Sequence, residues 1–286
     1  MLQFIINGLI TGVLYSLMAI GFSLVYNTTK VFHIAAAGIY VFAAYMFYSF
    51  STFLPMIPAA LIAIVLTMGL SLLTEFFVYR PLWKQKASNN VAMIASIGLM
   101  AVIVNLLTLK YGTDSKLINK TIFESRHIGD ITITIPQMMQ FIIGTVVILF
   151  FLIFIGKNGW GARFRALSAD AGLFETLGYN IPRTRTVVFL MSGAIIALGS
   201  CLTEYNTRFD STVGMSVLIN ALVAMIIGGV GRFGTCVIGG VILGVIQSGA
   251  VLLFSASWQN AVTFAVLLLL LFFRPQGIAG YQQRAV

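Results

Sequence analysis

Apolar stretches of bilayer length recur along almost the whole chain, near residues 4–26, 31–50, 57–78, 91–109, 137–156, 186–206, 215–231, 236–254 and 259–273. No other feature restricts the fold as strongly, because a hydrocarbon core of about 30 Å takes about 20 helical residues to cross. Inside lipid, every backbone amide and carbonyl must find its partner within the chain, which leaves helices and closed barrels. These runs are continuously apolar and lack the in–out alternation of a barrel strand, so the sequence predicts helices. The expected fold class is all-α: a polytopic transmembrane bundle of about eight to ten spans, some discontinuous, forming one domain over residues 1–286. Only 9% of residues are charged, against about a quarter in a soluble domain. The first apolar run has no basic segment before it and no small-residue cleavage site after it, and is read as a retained span.

A net charge of +9 raises the question of nucleic acid. The basic residues form no continuous face; they lie at the ends of the apolar segments, so no nucleic-acid partner is expected. Their distribution instead sets orientation, since Lys and Arg in short loops resist translocation. Lys30, Arg80, Lys84, Lys86, Lys157, Arg163, Arg165, Arg183, Arg185, Arg232, Arg274 and Arg284, twelve of the 17, fall on one side. Lys110, Lys116, Lys120, Arg126 and Arg208 fall on the other, mixed with Asp114, Glu124, Asp130 and Asp210. The expected topology has the N-terminus outside and the C-terminus in the cytoplasm. Residues 110–136 then form the long external loop, where the alternating run at 131–135 predicts a small hairpin. Residues 157–185 form the long cytoplasmic loop.

The cytoplasmic loop carries Phe164, Leu167, Phe174 and Leu177 near one helical face, followed by Gly178 and Pro182, which predicts one amphipathic helix and a turn back into the membrane. Periodicity alone fits equally well an interfacial helix on lipid head groups and a docking helix for a soluble partner. Further on, Gly228, Gly229, Gly231, Gly234, Gly240 and Gly244 crowd one segment. No G-x-x-x-x-G-K-[ST] motif occurs in the chain, so any ATP must be bound by another polypeptide. The glycines are read as helix-packing residues, with Gly240 and Gly244 a small-xxx-small pair and Gly231 and Gly234 at a sharp turn.

Polar groups within spans are expected to bridge helices or to face a pathway. Of these, His33, Tyr40, Asn105 and Asn220 are the candidate pathway residues. Glu75 and Glu204 sit near span ends, where Arg80 and Arg208 respectively are the expected partners. Cys201 and Cys236 lie among aliphatic and small residues, and His33 and His127 fall on opposite sides, so neither a disulfide framework nor a metal site is indicated. No nucleophile with a base partner can be assembled, so no catalytic residue is expected. The alternatives are an ion-coupled secondary transporter, for which few deep ionisable residues are present, and a membrane scaffold.

Four segments together carry a resemblance. They are Asn7-Gly-Leu-Ile-Thr-Gly-Val-Leu-Tyr-Ser, Val78-Tyr-Arg-Pro-Leu, Gly161-Ala-Arg-Phe-Arg-Ala-Leu-Ser-Ala-Asp with Leu177-Gly-Tyr-Asn-Ile-Pro, and Gly228-Gly-Val-Gly-Arg-Phe-Gly-Thr with Phe273-Arg-Pro-Gln-Gly. The chain resembles, from end to end, the H-type permeases of branched-chain amino acid ABC importers, a family that also includes urea and amide permeases. It departs from the family where Asn-Phe-Ala-His-Gly is common: here His33-Ile-Ala-Ala-Ala places Ala36 at the usual His. The resemblance implies a multi-pass permease of the bacterial inner membrane that translocates branched-chain or related amino acids by alternating access and binds no cofactor itself. It also implies a second permease chain, different but homologous, two cytoplasmic ATPases that bind ATP and Mg, and an external substrate-binding protein. Residues 163–178 would then be the ATPase-coupling loop, with Phe164, Leu167, Phe174 and Leu177 seated in the ATPase and Arg163, Arg165 and Asp170 fixing register.

Overall fold

A computed structural model describes residues 2–119, 125–128, 131–253, 255–274 and 277–278. Lys120, Glu124, Asp130, Pro275, Gln276 and Arg284 lie outside the described residues. Each expected apolar segment is a helix. Among the described residues, five helices are long and apolar enough to cross a membrane: α1 (Leu2–Thr29), α3 with its continuation (Met56–Lys84), α5 (Asn89–Tyr111), α6 (Ile135–Lys157) and α9 (Ile181–Glu204). Four others are apolar but shorter: α2 (Ala36–Ser51), α10 (Val213–Gly228), α11 (Thr235–Leu253) and α12 (Gln259–Phe273). At about 1.5 Å per residue, a 16-residue helix such as α2 or α10 covers about 24 Å, so these two stop inside the bilayer thickness. The long third helix is not uniform. It widens into a π turn at Glu75–Tyr79 before the short α4 (Arg80–Lys84).

Local chemistry sets the boundaries. Lys30, with φ 58, ends α1 in the left-handed region, and the chain runs extended through Val31–His33 before α2. Asn180 caps α9 by accepting from Arg183 N at 2.9 Å, with Pro182 in the first turn, where no amide is needed. Gln137 Oε1 accepts from Thr134 N at 3.0 Å at the start of α6.

Just before α6, β1 (Ser125–Ile128) pairs antiparallel with β2 (Ile131–Thr134), in register from Ser125↔Thr134 to Ile128↔Ile131. This is the expected hairpin, and helices make up most of the remaining described chain. Gln3 holds it to α1, donating to Thr132 O at 2.9 Å and accepting from Thr132 N at 2.8 Å. At the same end of the bundle Lys116 and Phe209 exchange backbone hydrogen bonds of 2.8 and 3.0 Å, joining the α5–α6 connection to the α9–α10 loop. This is called the hairpin end below. At the other, glycine end, Gly231 N donates to Asn27 Oδ1 at 3.2 Å.

The first helix is the axis of the fold. Of its apolar window 83% is buried, against 61% for α9, 28% for α6 and 22% for α3 and α5, so the last three present most of their surface to lipid or partners. It packs against α11, α9 and α10. The closest approach is glycine on glycine, where a Cβ added at Gly244 would come within 2.5 Å of Gly12 Cα; beside it one at Gly8 would come within 2.8 Å of Val245 Cα, one at Gly12 within 2.7 Å of Val241 Cα, and one at Gly240 within 2.7 Å of Ser16 N. Backbone contact on this scale is what small residues at four-residue spacing permit in lipid. The seam is completed by Ser16 Oγ, which donates to Val237 O at 3.0 Å, and by Ser248 Oγ, which donates to Phe4 O at 2.7 Å.

Candidate functional site

A cavity of about 560 Å³ opens among α1, α9 and α10 at the hairpin end, walled in addition by Gln137 and Gln140 of α6 and Gln259 of α12. It runs from exposed Asn206, Thr207 and Arg208 in the α9–α10 loop to buried Tyr40 and Asn220 inside the bundle. Its inner end is polar and densely bonded. Tyr40 OH donates to Glu204 Oε1 at 2.6 Å, and Thr207 Oγ1 donates to Glu204 Oε2 at 2.9 Å. Glu204, 1% exposed, is thus a carboxylate at membrane depth held by two hydroxyls. Ionisable groups in such positions are costly and generally face a cavity, as this one does.

Beneath the cavity a second network ties four helices together. Tyr15 OH donates to Gln247 Oε1 at 2.7 Å, and Gln247 Nε2 donates to Asn220 Oδ1 at 3.1 Å and to Thr263 Oγ1. Thr263 Oγ1 in turn donates to Asn220 Oδ1 at 3.1 Å. The network links α1, α10, α11 and α12 through side chains, and such networks help specify one packing of their helices.

The candidate pathway residues therefore separate. Tyr40 and Asn220 line the cavity. His33 does not: it is buried toward the glycine end, its Nδ1 2.7 Å from Tyr79 OH and its ring edge-on to Tyr79 and Phe189. Asn105 is exposed on the outer face of α5 and donates to Ala101 O of its own helix at 2.7 Å. A single polar residue on a helix with apolar residues all round does not reveal which face it occupies. Glu204 does not pair with Arg208: its oxygens accept from Tyr40 and Thr207, and Arg208 stands at the exposed mouth of the cavity. Glu75 accepts from Thr186 Oγ1 at 3.4 Å and feels the charges of Arg80, its expected partner, and Arg185.

The cytoplasmic-loop segment lies beyond the C-terminal end of α6 and forms two helices rather than one. The first, α7 (Gly159–Ala169), breaks at Asp170, whose Oδ1 accepts from Gly172 N at 2.8 Å and Leu173 N at 3.0 Å to start α8 (Ala171–Thr176). Phe164, Leu167 and Phe174, expected to face a partner, are instead 0%, 2% and 1% exposed and pack into this chain. The reason is simple: an apolar stripe beside a bundle is covered by the nearest apolar surface, here α6, α1 and α9. The exposed face includes Arg165, Asp170, Leu173 and Leu177, with Leu173 59% and Leu177 64% accessible. Arg163 is held between Trp160 and Tyr179, its guanidinium carbon 4.7 and 5.5 Å from their ring centres, and Arg165 donates to Ile155 O. Gly178, with φ 82, ends the pair of helices.

Of the turn glycines, Gly229 and Gly231 both have φ 101, a conformation that strains side-chain-bearing residues, and a Cβ at Gly228 would collide with the backbone of Thr235. Gly234 packs on Leu152. The sequence reading missed Gly8 and Gly12, although their spacing, continued at Ser16, was a usable small-xxx-small signal. Gln247 and Thr263 were likewise unreadable as partners of Asn220.

The sequence matches, over residues 4–271, the family described as branched-chain amino acid transport system permease component. The chain belongs to this family. Among curated members, this permease is 26% identical to the high-affinity branched-chain amino acid transport permease BraD of Pseudomonas aeruginosa, covering 98% of this chain and 95% of that protein. It is 28% identical to the permease LivH of Salmonella typhimurium over the same shares. A fructose import permease, FruG of Bifidobacterium longum, is 27% identical over 68% of this chain. Among solved structures, PsaBC from Streptococcus pneumoniae in complex with Fab superposes with a TM-score of 0.54, covering 94% of this permease and 91% of that chain. At 13% identity that likeness establishes the fold alone. The permease is accordingly a multi-pass membrane protein of a transport system.

Proposed function

We propose that this chain is the substrate-translocating subunit of an ATP-driven importer of branched-chain or related amino acids in a bacterial inner membrane. The observation that carries the reading is the cavity at the hairpin end. A member of this family places a buried carboxylate, a tyrosine and an asparagine at the inner end of a cavity whose mouth is exposed. The positive side-chain bias supports the hairpin end as external and the α7–α8 end as cytoplasmic. In this orientation a binding protein delivers substrate at the hairpin end, and Tyr40 and Asn220 belong to the translocation pathway.

The chain forms one permease domain over residues 1–286, binds no nucleotide, and pairs with a second, homologous permease and two ATPases that bind ATP and Mg. Coupling runs through α7 and α8, by their exposed face. Phe164, Leu167 and Phe174 anchor these helices to the bundle, while Arg165, Asp170, Leu173 and Leu177 meet the ATPase, with Arg163 rigid behind them. An exposed apolar pair ringed by polar groups is the composition of a docking site. Alternating access then follows from motion of the bundle around the cavity, with the glycine seams as the close contacts of the moving parts.

The test is affinity purification of the tagged chain from cells that express it natively, in mild detergent. Recovery of two ATPases and a second permease is expected. Recovery of the chain alone, with a functional ion-coupled uptake, would replace the reading with a secondary transporter.

A further inference from the structure

Two opposite charges face the cavity without neutralising each other. Glu204 accepts only one hydrogen bond at each oxygen, and a carboxylate has room for about four. Arg208 lines the same cavity, is exposed, and makes no hydrogen bond or ion pair with any described residue. Its guanidinium carries five N–H donors in a planar fork suited to a carboxylate. Next to it begins α10, a 16-residue helix whose Val213 lines the cavity and whose start is held by Asp210, with Oδ1 accepting from Thr212 N at 2.8 Å and from Thr212 Oγ1 at 2.6 Å. The wall between these groups includes Leu14, Met18 and Val217, which are aliphatic.

Together these groups match one ligand chemistry. A zwitterion with an ammonium at one point, a carboxylate beside it and an aliphatic side chain would satisfy the carboxylate, the guanidinium and the apolar wall at once. A neutral amide, urea or sugar would leave Glu204 without a counter-charge in a largely dehydrated site, which is unfavourable. The cavity volume falls within the roughly 300–1,000 Å³ of small-molecule sites.

We propose that the cavity is a binding site for the free α-amino acid zwitterion: Glu204, oriented by Tyr40 and Thr207, receives the ammonium, and Arg208 receives the carboxylate. The proposal rests on the importer reading above and adds the groups that select the substrate. It makes the permease itself, and not only a delivering protein, discriminate amino acids from their amides and from carboxylic acids.

The experiment is equilibrium binding of radiolabelled leucine to the assembled transporter in nanodiscs, without any binding protein. Leucine binding is expected to be saturable. Leucinamide, which lacks the carboxylate, and 4-methylpentanoate, which lacks the ammonium, are expected to compete at least tenfold more weakly than leucine. This comparison uses the unaltered protein, so it does not depend on a variant folding. Arg208→Gln should weaken leucine at least tenfold and close the gap to leucinamide; Glu204→Gln should do the same and close the gap to 4-methylpentanoate. Equal competition by the three compounds, or unaltered leucine affinity in both variants, overturns the site. If the wild-type complex still hydrolyses ATP and imports leucine while showing either result, the site falls and the importer reading stands. A chain that recruits no ATPase removes both.

Discussion

Replacing Gly244 by valine tests the α1–α11 seam on which the fold turns. A Cβ at Gly244 would lie 2.5 Å from both Gly12 Cα and Gly8 O, so it meets backbone and not a side chain that can swing away. The two helices must therefore separate, and overpacking of this kind costs about 1–3 kcal/mol, with a branched residue against backbone at the upper end. Valine has a slightly better helix propensity than glycine, which returns about 0.3–0.5 kcal/mol. The net expectation is a loss of about 2–3 kcal/mol, or a fall in melting midpoint of about 4–12 °C at about 2–4 °C per kcal/mol. Gly69→Val is the control: nothing lies within 4 Å of a Cβ there, so the same propensity gain should leave the midpoint unchanged or slightly raised. The assay is thermal denaturation in detergent followed by fluorescence-detected size exclusion. A Gly244→Val protein that melts within about 2 °C of wild type, or a Gly69→Val protein that falls as far, would refute the claim that backbone-to-backbone contact at this seam holds the bundle.

Other outcomes follow from the same geometry. The double variant Leu173→Glu/Leu177→Glu, on exposed positions, should melt like wild type yet lose ATPase co-purification, whereas buried Phe174→Ala should destabilise the chain by about 3–5 kcal/mol in the same melting assay. Asp170→Ala removes the acceptor for Gly172 and Leu173, costing about 1 kcal/mol locally, and should speed hydrogen exchange of those two amides without moving the global melt. Asn220→Ala removes the Oδ1 that accepts from both Gln247 and Thr263 and should cost about 1–3 kcal/mol. Impermeant thiol reagents should label Lys116→Cys from outside intact cells, and Glu175→Cys only after permeabilisation.

Much of this architecture could be read from the sequence, because in lipid the hydrophobic run itself determines where a helix lies. The segments expected at 91–109 and 137–156 appear as Asn89–Tyr111 and Ile135–Lys157. The hairpin also announced itself, through alternation at 131–135. What escaped was the direction of each face. Periodicity grouped Phe164, Leu167 and Phe174 correctly on one surface, yet only the tertiary packing shows that surface turned inward, against this chain's own helices. Asn105 and Asn220 look alike in sequence, and one points out of the bundle while the other closes the cavity. Glu204 offered Arg208 as a neighbour only four residues on, but its partner Tyr40 lies 164 residues away. Pairings over such distances leave no local pattern.

The most direct test of the central claim is leucine uptake into proteoliposomes that contain this chain, its partner permease and two ATPases, with ATP inside and a liganded binding protein outside. The account expects uptake that requires internal ATP and ceases when the ATPases are left out. Uptake driven by an ion gradient through this chain alone, with no dependence on ATP, would contradict it.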